Sequence, residues 1–260
     1  EEEDPTFQVY FDAETNQTIV RGMGELHLEI LLDRLLREFK VAVNRGIPQV
    51  NYKEALTQTV RHRERLERTV GPTHLFAEME FEIGPADPEF LLSEAYKSGK
   101  TKLQFEWAVP AKAIDPKNEA LVAAAFASMM HGGVLAGNSL DSMKVRVLDG
   151  LMLPSASRPP AFELCAKYGF RAAAPKCEPV LLEPVMRLEV TTPAEFLGAV
   201  LADLGRRRGV VLGQAPRLGD AVAVQAEAPL AAMVGYVTAL RTLSSGRANS
   251  TMEFSHYAQV

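Results

Sequence analysis

Leu28, Leu32, Leu35 and Phe39 recur at the three-to-four-residue spacing that lines one helical face, which predicts a helix from Glu25 to Phe39. Ahead of it, Phe7 to Phe11 alternates polar and apolar positions, Thr15-Asn16 marks a turn, and Thr18 to Arg21 reads as a second strand. Behind it, the β-branched run Val41-Ala42-Val43 predicts a third strand, stopped by Asn44-Arg45-Gly46. Strand, strand, helix, strand is half of a split-βαβ unit. With the complementary strand and helix missing from the pattern, one face is expected to be uncovered, and the piece to be loosely packed or held by a neighbour.

The pattern changes at Pro48. Gln49 to Thr57 alternates as a strand, and a basic segment, Arg61-His62-Arg63-Glu64-Arg65, leads to a Gly71-Pro72 turn. Beyond the turn Leu75, Ala77, Met79, Phe81 and Ile83 mark a strand with one buried face, so the two segments read as a long hairpin. After a connector rich in Asp, Pro and Lys come a short strand at Leu103 to Ala108 and a helix from Asn118 to His131, stopped by Gly132-Gly133. Met143 to Leu148 reads as a strand closed by Asp149-Gly150. Pro154, Pro159 and Pro160 make the next stretch irregular, and Ala161 to Ala173 is helical up to Pro175.

A third block opens at Leu182-Glu183-Pro184. Val185 to Val190 is a strand, and Thr191-Thr192-Pro193-Ala194-Glu195 reads as an N-cap with Pro at or near the first helical position. A helix to Arg207, strands at Val210 to Leu212 and Ala221 to Ala226, a helix at Leu230 to Leu240 and a strand at Ala248 to Phe254 complete the order β-α-β-β-α-β.

Composition narrows the classes. The chain is 47% hydrophobic and 23% charged, ordinary for a globular protein, and no apolar run approaches the ~20 residues of a membrane helix. It opens on Glu1-Glu2-Glu3-Asp4-Pro5 without Met, as an internal piece of a longer protein would. Cys165 and Cys177 are too few for a disulfide frame or a metal site; buried or inert thiols in a reducing cytosol fit them better. No His, Cys or carboxylate cluster has metal-ligand spacing. A net charge of −5 argues against indiscriminate coating of nucleic acid, so any RNA contact must be local. Basic residues do cluster, at Arg61, Arg63, Arg65 and Arg68, at Arg206-Arg207-Arg208, and at Arg241 and Arg247 around a Ser-Ser-Gly turn. The bland reading of each is a solvated face, with Glu64 and Glu67 diluting the first.

Gly22-Met23-Gly24-Glu25-Leu26-His27-Leu28-Glu29 resembles the signature of domain III of elongation factor G. The likeness continues through the third block in Thr191-Thr192-Pro193, Asp203-Leu204-Gly205-Arg206-Arg207-Arg208-Gly209, Leu240 to Ala248 and Met252-Glu253-Phe254-Ser255-His256-Tyr257, which are similar to domain V. The resemblance implies an α+β chain: a truncated ferredoxin-like unit at 1–47, a ribosomal-protein-S5-like domain IV at 48–180, and a complete ferredoxin-like domain V at 181–260. It implies a ribosome-binding arm of a translation factor that promotes tRNA–mRNA translocation. The expected partners are ribosomal RNA at the A-site decoding region, the stalk-base region and tRNA–mRNA. A cytoplasmic monomer without membrane contact is expected. GTP and magnesium would serve the whole protein only, since no Gly-x-x-x-x-Gly-Lys-Ser/Thr occurs here and this piece should catalyse nothing.

In that family two loops form the domain IV tip, here Leu66 to His74 and Leu151 to Arg158. The first lacks the family's Gly-Gly-Arg-Gly-Gln-Tyr-Gly string. In the second, Leu153 stands where a histidine is usual. Fewer glycines stiffen the backbone, and the lost imidazole removes a donor. This departure resembles the divergent second class of the family, which includes the mitochondrial paralogue used in ribosome recycling, so post-termination subunit splitting is the alternative. The resemblance makes Arg65, just before the first loop, and Arg68, Thr69, Gly71, Thr73 and His74 within it candidate RNA contacts, with Ser155, Ser157 and Arg158 in the second. Arg206, Arg207, Arg208, Arg241, Ser245 and Arg247 are the candidates in domain V. His27 reads as a helix-face histidine with a local hydrogen bond rather than a catalytic one. A small-molecule-binding ferredoxin-like regulatory module is a distant alternative, which would need a phosphate loop at a helix start; Gly132-Gly133 sits at a helix end.

Overall fold

In a computed structural model of the chain, residues 7–12, 17–21, 25–41, 43, 46 and 49–260 are described. The expected turns at Thr15-Asn16 and Gly22 to Gly24 lie outside the described residues, as does the His27 side chain. The chain divides into two compact units, Glu1–Asn51 with Glu183–Ala258, and Tyr52–Leu182 with Gln259–Val260.

Near the N-terminus, β1 (Gln8–Asp12) and β2 (Gln17–Arg21) pair antiparallel, and α1 spans Glu25–Arg37. Arg37 and Asp33, 2.9 Å apart, support the last turns of the helix from its wet side. The expected strand at Val41 to Val43 does not form at the described positions, Val41 and Val43. Lys40 is left-handed (φ 57°) and the Val41 N–H donates back to the Leu35 carbonyl at 3.1 Å. That closure spends the N–H a strand would need. Phe39, expected on the buried stripe, falls past the helix end and is 67% exposed.

The unit beginning at Tyr52 contains β3 (Lys53–Ala55), β4 (Val60–Val70), β5 (Thr73–Gly84), α2 (Pro88–Leu92), α3 (Glu94–Lys97), β6 (Leu103–Trp107), α4 (Glu119–Met129), β7 (Met143–Leu151) and α5 (Pro159–Ala173). Its four-stranded sheet runs β4-β5-β7-β6, with β6 and β7 parallel. Strict period-2 alternation puts Ala77, Met79, Phe81 and Ile83 into the core with Phe126 of α4 and Phe162 and Phe170 of α5. Glu78, Glu80 and Glu82 alternate with them. The short helices α2 and α3 occupy a connector whose sequence has no helical period.

Two expectations change in this unit. The strand expected from Gln49 to Thr57 shrinks to β3, which pairs with Val180 to Leu182, because the Thr57 N–H turns to the Cys177 carbonyl. Asp149-Gly150 is no turn: β7 continues through it, with a bulge that leaves Leu148 between the pairs Phe81↔Val147 and Glu80↔Asp149. A Cβ at Gly150 would press on the Glu78 carbonyl and Ile114, so glycine is required there by close approach.

Glu54 is fully buried. Its carboxylate accepts the N–H groups of Leu135 (2.9 Å), Ala136 (2.8 Å) and Asn138 (3.0 Å), which ties the α4–β7 loop to β3.

From Glu183 onward, β8 (Val180–Pro193), α6 (Leu197–Arg206), β9 (Val210–Arg217), β10 (Ala221–Pro229), α7 (Tyr236–Leu243) and β11 (Asn249–Gln259) give the sheet order β11-β8-β10-β9 of a complete split-βαβ unit. Leu188, Val190, Val224 and Ala226 of the sheet pack against Val200 and Leu204 of α6 and Tyr236 and Leu240 of α7. Thr191 to Pro193 belongs to β8, paired with Ala221 to Ala223, and a 3-10 turn at Ala194–Phe196 precedes α6 without any side-chain cap. The helix expected at Leu230 to Leu240 is broken by Gly235 (φ 72°) into a 3-10 turn, Leu230–Met233, and α7.

Candidate nucleic-acid interface

The hairpin β4–β5 outruns its sheet. β7 ends at Leu151 opposite Glu78, so the turn residues Gly71 and Pro72 and the pairs Val70↔Thr73 and Thr69↔His74 project past the third strand. The segment 152–158 folds over that projecting end: the Phe76 N–H donates to the Ala156 carbonyl at 3.1 Å, and the Ser157 hydroxyl donates to the Phe76 carbonyl at 2.7 Å. The two loops expected to converge are joined by these bonds.

Charges along the hairpin are largely spent on each other. Arg61 pairs with Glu80 at 2.6 Å, and Arg63 reaches Glu80 at 2.9 Å, Glu78 at 3.3 Å and Asp149 at 3.4 Å. Their guanidinium donors, with Arg61 the first, hold the Glu80 carboxyl below the usual carboxylate range. Arg65 pairs with Glu67 at 2.7 Å and lies 5.2 Å over the Phe76 ring, which helps bury that ring to 1% exposure. His74 stands 3.6 Å from Glu67. Arg68 and Arg158 are exposed, and neither has a carboxylate in ion-pair range among the described residues. Thr69, Gly71 and Ser155 are also exposed, and Thr73 is half-buried.

The C-terminal candidates sort in the same way. Arg207 is structural: it pairs with Asp203 at 2.8 Å, donates to the Ala232 carbonyl at 2.7 Å and lies over the Tyr236 ring. Arg208, left-handed at φ 60°, grips buried Glu183 with two hydrogen bonds of 2.8 and 2.9 Å. Arg247 pairs with Glu195 and covers Phe196. Arg206 and Arg241 are exposed, with no carboxylate in ion-pair range among the described residues. Ser245 (φ 51°) is exposed at the α7 end, whereas its neighbour Ser244 is buried and bridges the Leu240 carbonyl and the Ala248 N–H.

Leu151 and Leu153, 47% and 37% exposed, are tip residues that residue-type reasoning passes over because it looks for donors and cations. The cysteines are inert: burial pushes the Cys165 thiol up to about 12 and the Cys177 thiol up to about 11. Among the described residues no helix is long and apolar enough to cross a membrane.

Comparison with known proteins returns three family models in chain order: "Elongation Factor G, domain III" at residues 1–46, "Elongation factor G, domain IV" at 48–178 and "Elongation factor G C-terminus" at 180–260. Elongation factor G of Amoebophilus asiaticus is 45% identical over 259 residues, covering 100% of this chain and 35% of the relative's length. That of Cytophaga hutchinsonii is 44% identical with the same coverage. A crystal structure from Thermus thermophilus matches with TM-score 0.81 and 32% identity, over 100% of this chain and 37% of that one.

Proposed function

We propose, from the premise that this chain belongs to the elongation factor G family, that it is the ribosome-binding arm of a translation factor promoting tRNA–mRNA translocation. The observation that carries this reading is the joined pair of loops past the end of the sheet, with Arg68 and Arg158 exposed beside them and, among the described residues, without a carboxylate in ion-pair range. Cations at such an end meet phosphates, and the rest of the hairpin offers little free positive charge. In this reading residues 1–47, 48–180 and 181–260 act as three domains. The tip meets ribosomal RNA at the A-site decoding region and the tRNA–mRNA, and Arg206, Arg241 and Ser245 face the stalk-base region. The protein works as a monomer in the cytoplasm.

GTP and magnesium belong to other parts of the whole protein. Among the described residues, α5 opens on Pro159-Pro160, which have no N–H to offer, and α4 carries Glu119 in its first turn, so neither helix start suits a triphosphate. Incubated with GTP, with or without ribosomes, the chain is expected to release no phosphate above background; turnover would overthrow this division of labour.

The alternative reading, subunit splitting after termination, is favoured by the two rewritten loops, the first without the family's glycine-rich string and the second with Leu153 in place of a histidine. Arg68→Ala/Arg158→Ala tests the shared contact. In co-sedimentation with ribosomes across a salt series, the double variant should bind about tenfold more weakly, with the log–log salt slope shallower by about 1.5. An unchanged slope removes both arginines from the interface. Subunit-splitting and translocation assays on the whole factor then separate the two readings.

A further inference from the structure

The loop Leu153 to Ser157 is closed upon itself. The Ala156 and Ser157 N–H groups donate to the Leu153 carbonyl at 3.0 and 2.8 Å, and the Arg158 N–H donates to the Ala156 carbonyl at 3.1 Å. One side chain completes the closure: the Ser157 hydroxyl accepts the Leu153 N–H at 2.8 Å while donating to the Phe76 carbonyl at 2.7 Å. A hydroxyl carries one proton and two lone pairs, so this geometry uses its single proton inward. Ala156 is 2% exposed beneath the loop. Pro154 has no N–H, and the backbone donors of Leu153, Ala156, Ser157 and Arg158 are all committed. What the loop turns outward is therefore the side chains of Leu153, Pro154 and Ser155, next to Arg158.

We infer that Ser157 is a positioning residue rather than an RNA contact. It holds the loop so that Leu153 and Pro154 lie against ribose and base faces while Arg68 and Arg158 meet the flanking phosphates. This rests on the proposed ribosome-binding role. With these backbone donors committed, the loop recognises RNA by shape and apolar contact more than by backbone hydrogen bonds to base edges, which rewards rigidity because no ordering entropy is lost on binding. The two arginines supply the charge complementarity that selects a polyanion over an apolar protein surface.

The test has two arms, both on the 260-residue chain. In hydrogen exchange, Ser157→Ala should speed the Leu153 and Phe76 amides about tenfold, leave the Phe81 and Val145 amides as they are, and be rescued by Ser157→Thr. In ribosome co-sedimentation, Ser157→Ala and Leu153→Ala should each weaken binding about fivefold without changing the salt slope, again with rescue by Ser157→Thr. Unchanged exchange in Ser157→Ala overturns the clamp. Faster exchange with parental affinity in both Ser157→Ala and Leu153→Ala overturns the apolar contact, provided Arg68→Ala/Arg158→Ala still binds weakly. If that double variant also binds as the parent does, the RNA contact falls together with the function it rests on, and the exchange data still decide the clamp.

Discussion

Replacing Glu54 by alanine is expected to lower the unfolding free energy of the unit spanning Tyr52–Leu182 by about 3–5 kcal/mol. The carboxylate is fully buried and satisfies three backbone donors at once. Each charge-assisted bond lost exposes an orphan N–H, but Leu135 and Ala136 lie in a loop that water reaches, which discounts the sum. Glu54→Gln should fall about halfway, since Oε1 can keep Ala136 and Asn138 while the new amide NH2 faces the Leu135 donor. Trp107, the one tryptophan of the chain, lies in the same unit and reports urea unfolding there. A loss under about 1 kcal/mol for Glu54→Ala would show that the loop does not depend on this carboxylate.

Phe81→Ala should cost a similar about 3–5 kcal/mol, and its interest lies in the neighbour that makes room for it. Phe81 is fully buried in β5, edge-on to Phe126 at 5.1 Å and to His62 at 5.7 Å. A Cβ at Gly169 of α5 would sit 2.7 Å from its ring. Gly169→Ala alone should therefore cost about 1–3 kcal/mol by overpacking, despite the helix-forming gain of alanine. In the Phe81→Ala background the same methyl enters vacated space, so the double variant should be no less stable than Phe81→Ala. A thermodynamic cycle by urea unfolding measures the coupling, and simple additivity would contradict the packing described.

How much of this was legible follows from which forces are local. The hairpin could be read because alternation from Leu75 to Ile83 is unbroken and Gly71-Pro72 punctuates it. Given that turn, the register Arg63↔Glu80 and Arg65↔Glu78 follows by counting, so the neutralisation of the basic segment was available from sequence. Treating the arginines as a patch along one strand missed the carboxylates across from them. Asp149-Gly150 misleads because the dipeptide is a turn signal locally, whereas Gly150 is there for the approach of Glu78 and Ile114, residues distant in sequence. The Val41 strand fails because β propensity yields to helix closure at Lys40. The resemblance named two loops that the structure joins, but residue type could not tell outward from inward roles: Ser157, Arg207 and Arg208 serve inward tasks that only tertiary partners define.

The ladder of ion pairs along β4 and β5 bears on how such an arm would travel. Opposite charges a few ångströms apart cancel, and beyond about 8 Å salt erases what remains, so the flank of the hairpin is electrically quiet at range. Within the hairpin and the loop folded over it, long-range attraction would then originate at the apex, from Arg68 and Arg158. If the proposed function holds, a probe of that kind would be drawn in point first, would slide past surrounding polyanion without adhering sideways, and would withdraw by releasing a few terminal contacts, so its side walls would favour fast exchange between dockings.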